Sequence, residues 1–353
     1  MMRRAMFKKA LNKTASFGSL SLAGLFILAL SSVAQAQTTL TMSSWVPPSH
    51  SLTRVLAAWA AEVEKASNGR LKFSMLPKHP AAPPGTFDAV RDGLMDVSFV
   101  TASYTPARHT LPKLAELPGA GGTAEINSVA FSRIHYRHLD KAGEYKGVKL
   151  LGVFTHGPGQ MFNTKKVIDG LEDFQGMKIR TGGGVADEMA RALGASAFVK
   201  PAPESYELLS SGVADGVFFP LESIASFKLD KIVKHATIFP GGFYSSSFGF
   251  FMNEEKFNKL SKQDQDAILS ISGEKLARMI GKSWDEADKV GLEAMKASGV
   301  TITPATANLV KAVAERSKVM DADWIKAANA KGVDGAKALA DFREEVRKVT
   351  AGQ

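Results

Sequence analysis

The chain has 353 residues, of which 44 are basic and 35 acidic, so its formal net charge is +9 at pH 7. It contains no cysteine, which excludes disulfide bonds and cysteine-ligated metal sites and leaves stability to the hydrophobic core. The length is ample for such a core and suggests two lobes rather than one.

Residues 1–36 have the pattern of an export signal. Five lysines and arginines without an acidic residue precede an apolar run over 20–30, and an Ala-Gln-Ala segment ends at Ala36. The run is shorter than the roughly 20 residues of a membrane span, so we predict cleavage after Ala36 and a periplasmic, soluble mature chain. A pair of arginines near the start leaves both the general and the twin-arginine export routes open.

Removal of this segment changes the charge balance. The remainder carries 39 basic and 35 acidic side chains, a net charge of +4 that is spread along the chain. So mild an excess does not indicate a nucleic-acid partner.

The first half of the mature chain alternates predicted strands and helices. Alternating or continuous apolar patterns predict strands over 39–43, 71–76, 96–100 and 148–154. Apolar stripes at helical spacing predict helices over 52–67 and 86–94. This order predicts a mainly parallel sheet covered by helices on both faces, with ligands bound at the carboxyl ends of the strands.

The second half repeats the alternation and then becomes helical. Apolar runs predict strands over 177–180, 197–199, 216–219 and 248–252. Helical spacing predicts helices over 185–193, 204–211, 262–298, 308–330 and 333–350. Glycines at 273 and 281 are the expected breaks in the longest of these helices.

One arginine stands between a predicted strand and three glycines. Arg180 ends the strand over 177–180, and Gly182-Gly183-Gly184 leads into the following helix. Backbone N–H groups and the positive end of the helix dipole would meet a guanidinium at this point. Because a guanidinium matches a carboxylate with two parallel donors, we expect a carboxylate-binding point. A solvated charge beside a tight turn is the alternative.

The chemistry-bearing motifs of enzymes are missing from the sequence. There is no G-x-S-x-G elbow, no GxxxxGK[ST] loop and no HExxH metal motif, and the three glycines lack dinucleotide-binding spacing. His135 and His138 lie three residues apart without further ligands, so a surface helix explains them better than a metal site. We therefore predict a binding protein without catalytic residues, cofactor or metal.

Several segments together resemble the solute-binding receptors of TRAP (tripartite ATP-independent periplasmic) transporters, the DctP-like family. The segment over 171–180, Leu-Glu-Asp-Phe-Gln-Gly-Met-Lys-Ile-Arg, is similar to the family signature DLKGLKIR. Residues 192–195 match its LGA element, and residues 204–216 resemble E-x-Y-x-A-L-x-x-G-x-V-D-G. The matches follow the family's order, and the resemblance covers essentially the whole mature chain.

This resemblance implies a fold, a mechanism and partners. It implies an α/β, two-lobed periplasmic-binding-protein-like fold with hinge strands and a long bracing helix. We expect lobe I over 37–157 plus about 246–285, and lobe II over 158–245 plus about 286–353. Such receptors close over an organic acid and deliver it to a membrane permease; Arg180 occupies the position of the arginine that holds the carboxylate. We expect a monomer.

Departures from the family pattern indicate the kind of acid. Phe219, after Phe218, stands where the family usually has an asparagine, and Gln160 is the one plausible donor in its loop. Apolar walls with few polar anchors suit one carboxylate on an aromatic or less polar body, so we expect an aromatic or hydroxy/keto monocarboxylate. Ordinary strand packing is the alternative for both phenylalanines.

Four further residues are candidates because they follow predicted strands or border the expected cleft: Trp45, His50, Tyr104 and Phe243. His156 and Tyr244 occupy similar positions, the former also suited to a hinge hydrogen bond. An ABC-type receptor for an amino acid or other solute, and an exported enzyme or scaffold, remain the alternative functions.

Overall fold

The structure is a computed structural model that describes residues 37–353. The predicted export signal and its cleavage site at Ala36 lie outside the described residues. The described chain contains eleven strands, β1 to β11, which are in order Thr38–Met42, Leu71–Met75, Val97–Thr101, Val148–Thr155, Gln160–Asn163, Lys178–Thr181, Ser196–Val199, Gly216–Phe219, His235–Ile238, Ser247–Asn253 and Thr301–Pro304.

Eleven α-helices accompany these strands. In chain order, α1 to α11 are Ser51–Ala66, Thr86–Arg91, Ala124–Ile134, Gly184–Ala192, Ser205–Ser210, Leu221–Ser226, Glu254–Lys259, Lys262–Ser270, Glu274–Ala297, Ala307–Ala330 and Gly335–Thr350. Short 3-10 turns join several of them. None of the helices within residues 37–353 is long and apolar enough to cross a membrane.

The strands form two mixed sheets, which make the fold α/β and two-lobed. The first sheet has the order β2-β1-β3-β10-β4 and the second the order β11-β9-β5-β8-β6-β7. The βαβ units β1–β3 and β6–β8 are parallel, as their helical connections require.

The expectation of a mainly parallel sheet is wrong for the strands that connect the lobes. In the first sheet β10 runs antiparallel to β3 and β4, and in the second β5 runs antiparallel to β8 and β9. The chain passes from the first sheet to the second between β4 and β5, and returns between β9 and β10, in both cases without an intervening helix. Without a helical crossover, β5 and β10 can pair antiparallel with their neighbours. Both strands are buried along their length, as their apolar residues require.

The long helix α9 packs against elements of both lobes. Gly273 lies directly before its first residue, between α8 and α9, and has a φ of +61° that suits glycine, so the predicted break is present there. The second predicted break is absent: Gly281 lies inside the helix, where a side chain would collide with the backbone of Ala124 and Glu125. This glycine therefore serves close helix packing rather than a kink.

Candidate functional site

A cavity lies between the two sheets, with about 450 Å³ of empty space when the solvent at its open mouth is included. Its walls are formed by residues at the carboxyl ends of strands from both lobes and by α1, α6 and α9. The principal side chains are Trp45, His50, Tyr104, His156, Arg180, Phe218, Phe219, Phe227, Tyr244, Phe248 and Trp284.

Arg180 is buried at the end of β6 and lines this cavity. Its side chain is 1% exposed, which rules out the alternative of a solvated strand-end charge. Nε and Nη2 donate to the backbone oxygen of Lys200 at 2.9 and 2.5 Å, which fixes the plane of the guanidinium. The central carbon lies 4.6 Å from the ring centroid of Phe219, a cation–π contact.

No acidic side chain among residues 37–353 forms an ion pair with Arg180. Burial lowers the pKa of the guanidinium, while the nearby phenols of Tyr104 and Tyr244 act in the opposite direction. A guanidinium keeps its proton in proteins, so the site holds a desolvated positive charge; the carboxylate of Glu204 acts on it without forming a direct ion pair. Such a charge is best compensated by an anion inside the cavity.

The N-terminus of α4 does not contribute to this anion site as the sequence suggested. The Glu116 carboxylate accepts a hydrogen bond from Val185 N at 3.2 Å and two from Ser247, so a carboxylate of the protein itself already lies at this helix end. Burial raises the pKa of Glu116. Gly184, with a φ of +58°, allows this close approach of Glu116, and Gly183, with a φ of +87°, allows a similar approach of Ser103. The glycines therefore serve contact across the cleft.

Aromatic side chains form the walls beside Arg180. Phe219 stacks on Phe227 with ring centroids 5.7 Å apart and an interplanar angle of 19°. On the opposite side, Trp45 lies 5.7 Å from Tyr104, and its Nε1 donates to the Phe99 oxygen at 2.9 Å. This hydrogen bond and the ring contacts hold aromatic walls in place, and such walls suit a ligand with an aromatic body.

Two polar side chains lie deeper in the cavity. Tyr244 contacts the edge of His156 at a centroid distance of 5.4 Å, and its hydroxyl has no hydrogen-bond partner within 37–353. Burial raises the pKa of Tyr244, so the phenol is neutral. The second polar group, the His156 imidazole, bonds Gly157 O through Nδ1 at 2.5 Å.

His50 is buried, not an exposed loop histidine. Its Nδ1 accepts from Leu52 N at 3.2 Å and so caps α1, while Nε2 lies 3.3 Å from the Glu222 carboxylate of α6. Since Nδ1 is an acceptor, the proton is on Nε2, which donates to Glu222. Burial lowers the pKa of His50, and this neutral imidazole joins the two lobes at one edge of the cavity.

The structure brings Arg180, Phe219, Trp45, Tyr104, Phe218 and His50 to one cavity and leaves two candidates outside it. Both amide atoms of Gln160 are bonded to the Phe239 backbone, Nε2 to O at 3.2 Å and Oε1 to N at 2.7 Å. Phe243 packs on Phe218 with centroids 4.7 Å apart and lies in the core. Strand β9, which the sequence pattern did not reveal, accounts for the burial of Gln160.

Three cavity residues were not singled out from the sequence. Trp284 lies on the apolar stripe of α9 and reads as ordinary core, and Phe248 reads as a buried strand residue. Phe227 follows the short helix α6, which sequence periodicity did not reveal. A local pattern that would distinguish these three from core residues is missing, because their role depends on the packing of three separate elements.

Two α/β lobes with a cavity between them, lined by the carboxyl ends of strands from both, define a solute-binding protein of the periplasmic type. The family model described as "Bacterial extracellular solute-binding protein, family 7" (DctP) matches residues 42–327. The chain belongs to this family, the solute-binding receptors of TRAP transporters, as the signature around Arg180 indicated.

Individual relatives agree with this assignment. The "Outer membrane transporter protein TsaT" of Comamonas testosteroni is 31% identical over 322 residues, which are 90% of this chain and 95% of the relative. A TRAP periplasmic solute-binding protein from Bordetella bronchiseptica, solved with (R)- and (S)-mandelate, is 49% identical with a TM-score of 0.86. The match covers 88% of this chain and 99% of that one.

A marine-metagenome TRAP solute-binding protein, described as specific for aromatic acid ligands and solved with 3-hydroxybenzoate, is 31% identical with a TM-score of 0.83. That match covers 89% of this chain and 99% of the other. These comparisons confirm the two-lobed TRAP receptor fold and give no support to the ABC-type alternative.

Proposed function

We propose that this protein is the receptor that binds an aromatic monocarboxylate in the cleft and delivers it to a TRAP permease in the membrane. The observation that carries this proposal is the buried Arg180 guanidinium, which has no acidic partner within 37–353 and faces an aromatic cavity. A ligand carboxylate supplies the missing negative charge and accepts charge-assisted hydrogen bonds from the guanidinium.

The walls of the cavity favour an aromatic body on this carboxylate. Phe219, Trp45 and Phe248 present rings where a dicarboxylate or sugar acid would need further polar partners. Arg180 is the one arginine or lysine of the lining, so a second carboxylate would lack a cation. The mandelate and 3-hydroxybenzoate complexes of the similar receptors support the same ligand class.

Contacts across the cleft support a receptor that closes over its ligand. The Tyr104 hydroxyl accepts from Ala202 N at 2.8 Å, and Ser103 Oγ donates to Gly182 O at 3.1 Å. Lys113 and Glu188 form an ion pair of 2.5 Å at the rim. Ligand contacts to both lobes would add to these few bonds, so binding should shift the population toward this closed state.

The remaining parts of the proposal come from the family and the sequence. The mature receptor begins at Gln37, resides in the periplasm as a monomer and acts without catalytic activity, cofactor or metal. The boundaries of lobe I and lobe II at 157, 245 and 285 are those expected above, and the permease would recognise the closed form. The two lobes hinge about strands β4, β5 and β10.

A ligand panel tests this function. Thermal unfolding of the protein is measured with phenylacetate, mandelate and benzoate, and with succinate and glucuronate as controls of other acid classes. We expect the aromatic monocarboxylates to raise the melting temperature in a concentration-dependent way, because they bind the folded state alone. A shift with succinate and none with the aromatic acids would contradict the proposal.

A further inference from the structure

His156 presents an unused hydrogen-bond acceptor to the ligand cavity. The side chain follows β4, is 5% exposed and lines the cavity beside Tyr244, Phe248 and Trp284. Its ring contacts all three aromatic rings, at centroid distances of 5.4, 6.3 and 5.9 Å, so its orientation is fixed by packing.

The hydrogen bond at Nδ1 determines which nitrogen carries the proton. Nδ1 lies 2.5 Å from the backbone oxygen of Gly157 and must donate to it. The reverse ring orientation would put a carbon atom against this oxygen. Burial lowers the pKa of His156 to about 4, so the imidazole is neutral at pH 7 and the other nitrogen, Nε2, has a bare lone pair.

Nε2 has no hydrogen-bond partner among residues 37–353, yet it is not one of the fully occluded polar atoms. The aromatic rings on three sides of the imidazole leave the cavity as the space onto which this atom opens. The nearby indole N–H of Trp284 is itself occluded and unpartnered, so it makes no hydrogen bond with the imidazole. A ligand atom is therefore the natural partner of Nε2.

We infer that His156 is a specificity residue that accepts a hydrogen bond from a hydroxyl group of the bound aromatic acid. This inference rests on the proposed function, since it concerns the same cavity. The lone pair requires a donor: a hydroxyl hydrogen satisfies it, whereas a keto oxygen is an acceptor and repels it. The site thus selects hydroxy acids over both keto acids and unsubstituted acids.

The position of Tyr244 supports a site with two ends. Its ring contacts His156, and its phenol is close enough to Arg180 to influence the pKa of the guanidinium. The cation that would hold the carboxylate and the acceptor that would hold the hydroxyl are thus separated by one tyrosine ring. A hydroxyl on the α-carbon or on the ring of the acid would supply the same donor.

Calorimetric titrations with matched ligands test the selection. For the α-position the series is mandelate, phenylacetate and phenylglyoxylate; for the ring it is 3-hydroxybenzoate and benzoate. We expect at least one hydroxylated acid to bind about 10- to 100-fold more tightly than its unsubstituted partner, and phenylglyoxylate to bind more weakly than mandelate. The series that shows the larger ratio identifies the position of the hydroxyl.

Two substitutions then assign the preference to His156. His156→Phe removes the acceptor and should reduce the preference to about twofold or less, mainly by weakening the hydroxylated acid. His156→Gln retains an acceptor oxygen and should keep part of the preference. An unchanged ratio in His156→Phe, with both acids weakened equally, would overturn the inference and leave the proposed function intact.

Nitrogen NMR of the unsubstituted protein provides a test that does not depend on the folding of variants. We expect the Nε2 resonance of His156 to be that of an unprotonated nitrogen and to move upfield when the hydroxylated acid is added, but not with the unsubstituted acid. A protonated Nε2, or equal shifts with both acids, would overturn the inference. Failure of every aromatic acid to bind would instead refute the proposed function.

Discussion

The guanidinium carbon of Arg180 lies 4.6 Å from the ring centroid of Phe219, the residue that stands where the family usually has an asparagine. The ring covers the cation without offering it a hydrogen bond or a charge. The cation therefore remains available to a ligand, and the same ring extends the aromatic wall that the ligand's body would contact. Arg180 on β6 and Phe219 on the neighbouring strand β8 thus combine the anion-binding and the aromatic part of the site.

This arrangement predicts that Arg180 contributes to binding at the expense of stability. In Arg180→Met the buried, uncompensated charge is replaced by an apolar side chain of similar length. We expect the unliganded variant to unfold at the same urea concentration as the original protein or at a higher one, despite the loss of the two bonds to Lys200. A large decrease in unfolding free energy would show that the two hydrogen bonds to Lys200 stabilise the protein by more than the buried charge destabilises it.

Phe219→Leu tests the aromatic wall. Leucine keeps most of the buried volume but loses the ring that faces the ligand and the cation–π contact. We expect the preference for phenylacetate over cyclohexylacetate to fall about 3- to 10-fold, because aromatic contacts contribute roughly 0.5–1.5 kcal/mol. Phe198→Leu, on the edge strand β7 of the same sheet and outside the cavity, is the matched control and should leave the preference unchanged.

Gly184→Ala tests the contact of α4 with Glu116. An added Cβ would collide with the Glu116 carboxylate and would also occupy a backbone conformation, φ +58°, that disfavours side chains. We expect a loss of about 2–4 kcal/mol in unfolding free energy by urea titration. At Gly299 the φ is +71° with open space around it, so Gly299→Ala measures the backbone cost alone and should lose only about 1 kcal/mol.

Asp288 predicts a pH dependence of stability. It accepts a hydrogen bond from Glu222 N at 2.7 Å, and burial raises the pKa of its carboxyl to about 8, above its ordinary value of 3.8. Between these values the folded protein holds a proton that the unfolded chain has released, so stability falls as pH rises through this window, by up to about 1.4 kcal/mol per unit.

Asp288→Asn should remove this contribution, because asparagine keeps the acceptor without the charge. Urea unfolding at pH 6 and pH 8 should show a smaller loss of stability in the variant than in the original protein. Asp266→Asn, at an exposed position, controls for net charge. Equal pH dependence in the original protein and in Asp288→Asn would mean that the carboxyl ionises at its ordinary pKa.

Local patterns allowed much of the fold to be predicted. The strand over 216–219, the helix start near 185 and the break at Gly273 all depend on neighbouring residues, and the structure contains them. The antiparallel pairing of β5 and β10 depends on which distant strands they meet, and no local periodicity encodes that. Gly281 was likewise unpredictable from its neighbours. Glycine lowers the helix propensity of α9 at this position, but the missing side chain leaves room for the backbone of α3.

The sequence predicted a site residue where a suitable side chain stands at a recognisable point of the fold, such as the end of a strand. Arg180 ends an apolar segment and precedes glycines, so its position at the end of a strand could be predicted from the sequence. Its lack of a direct acidic partner was not predictable, because it depends on tertiary packing: Glu116, from a turn distant in sequence, bonds Val185 N of α4 rather than Arg180. Likewise Gln160 was a plausible donor until β9 supplied the backbone that occupies it.

Calorimetric titration of Arg180→Met with the aromatic acid that binds the original protein most tightly measures how much the Arg180 guanidinium contributes to ligand binding. We expect the affinity to fall about 150- to 5,000-fold, roughly 3–5 kcal/mol, while the variant stays folded. Arg191→Met, an exposed arginine of α4, is the matched control and should bind as before. An affinity of Arg180→Met within a few-fold of the original protein would mean that Arg180 does not bind the ligand carboxylate.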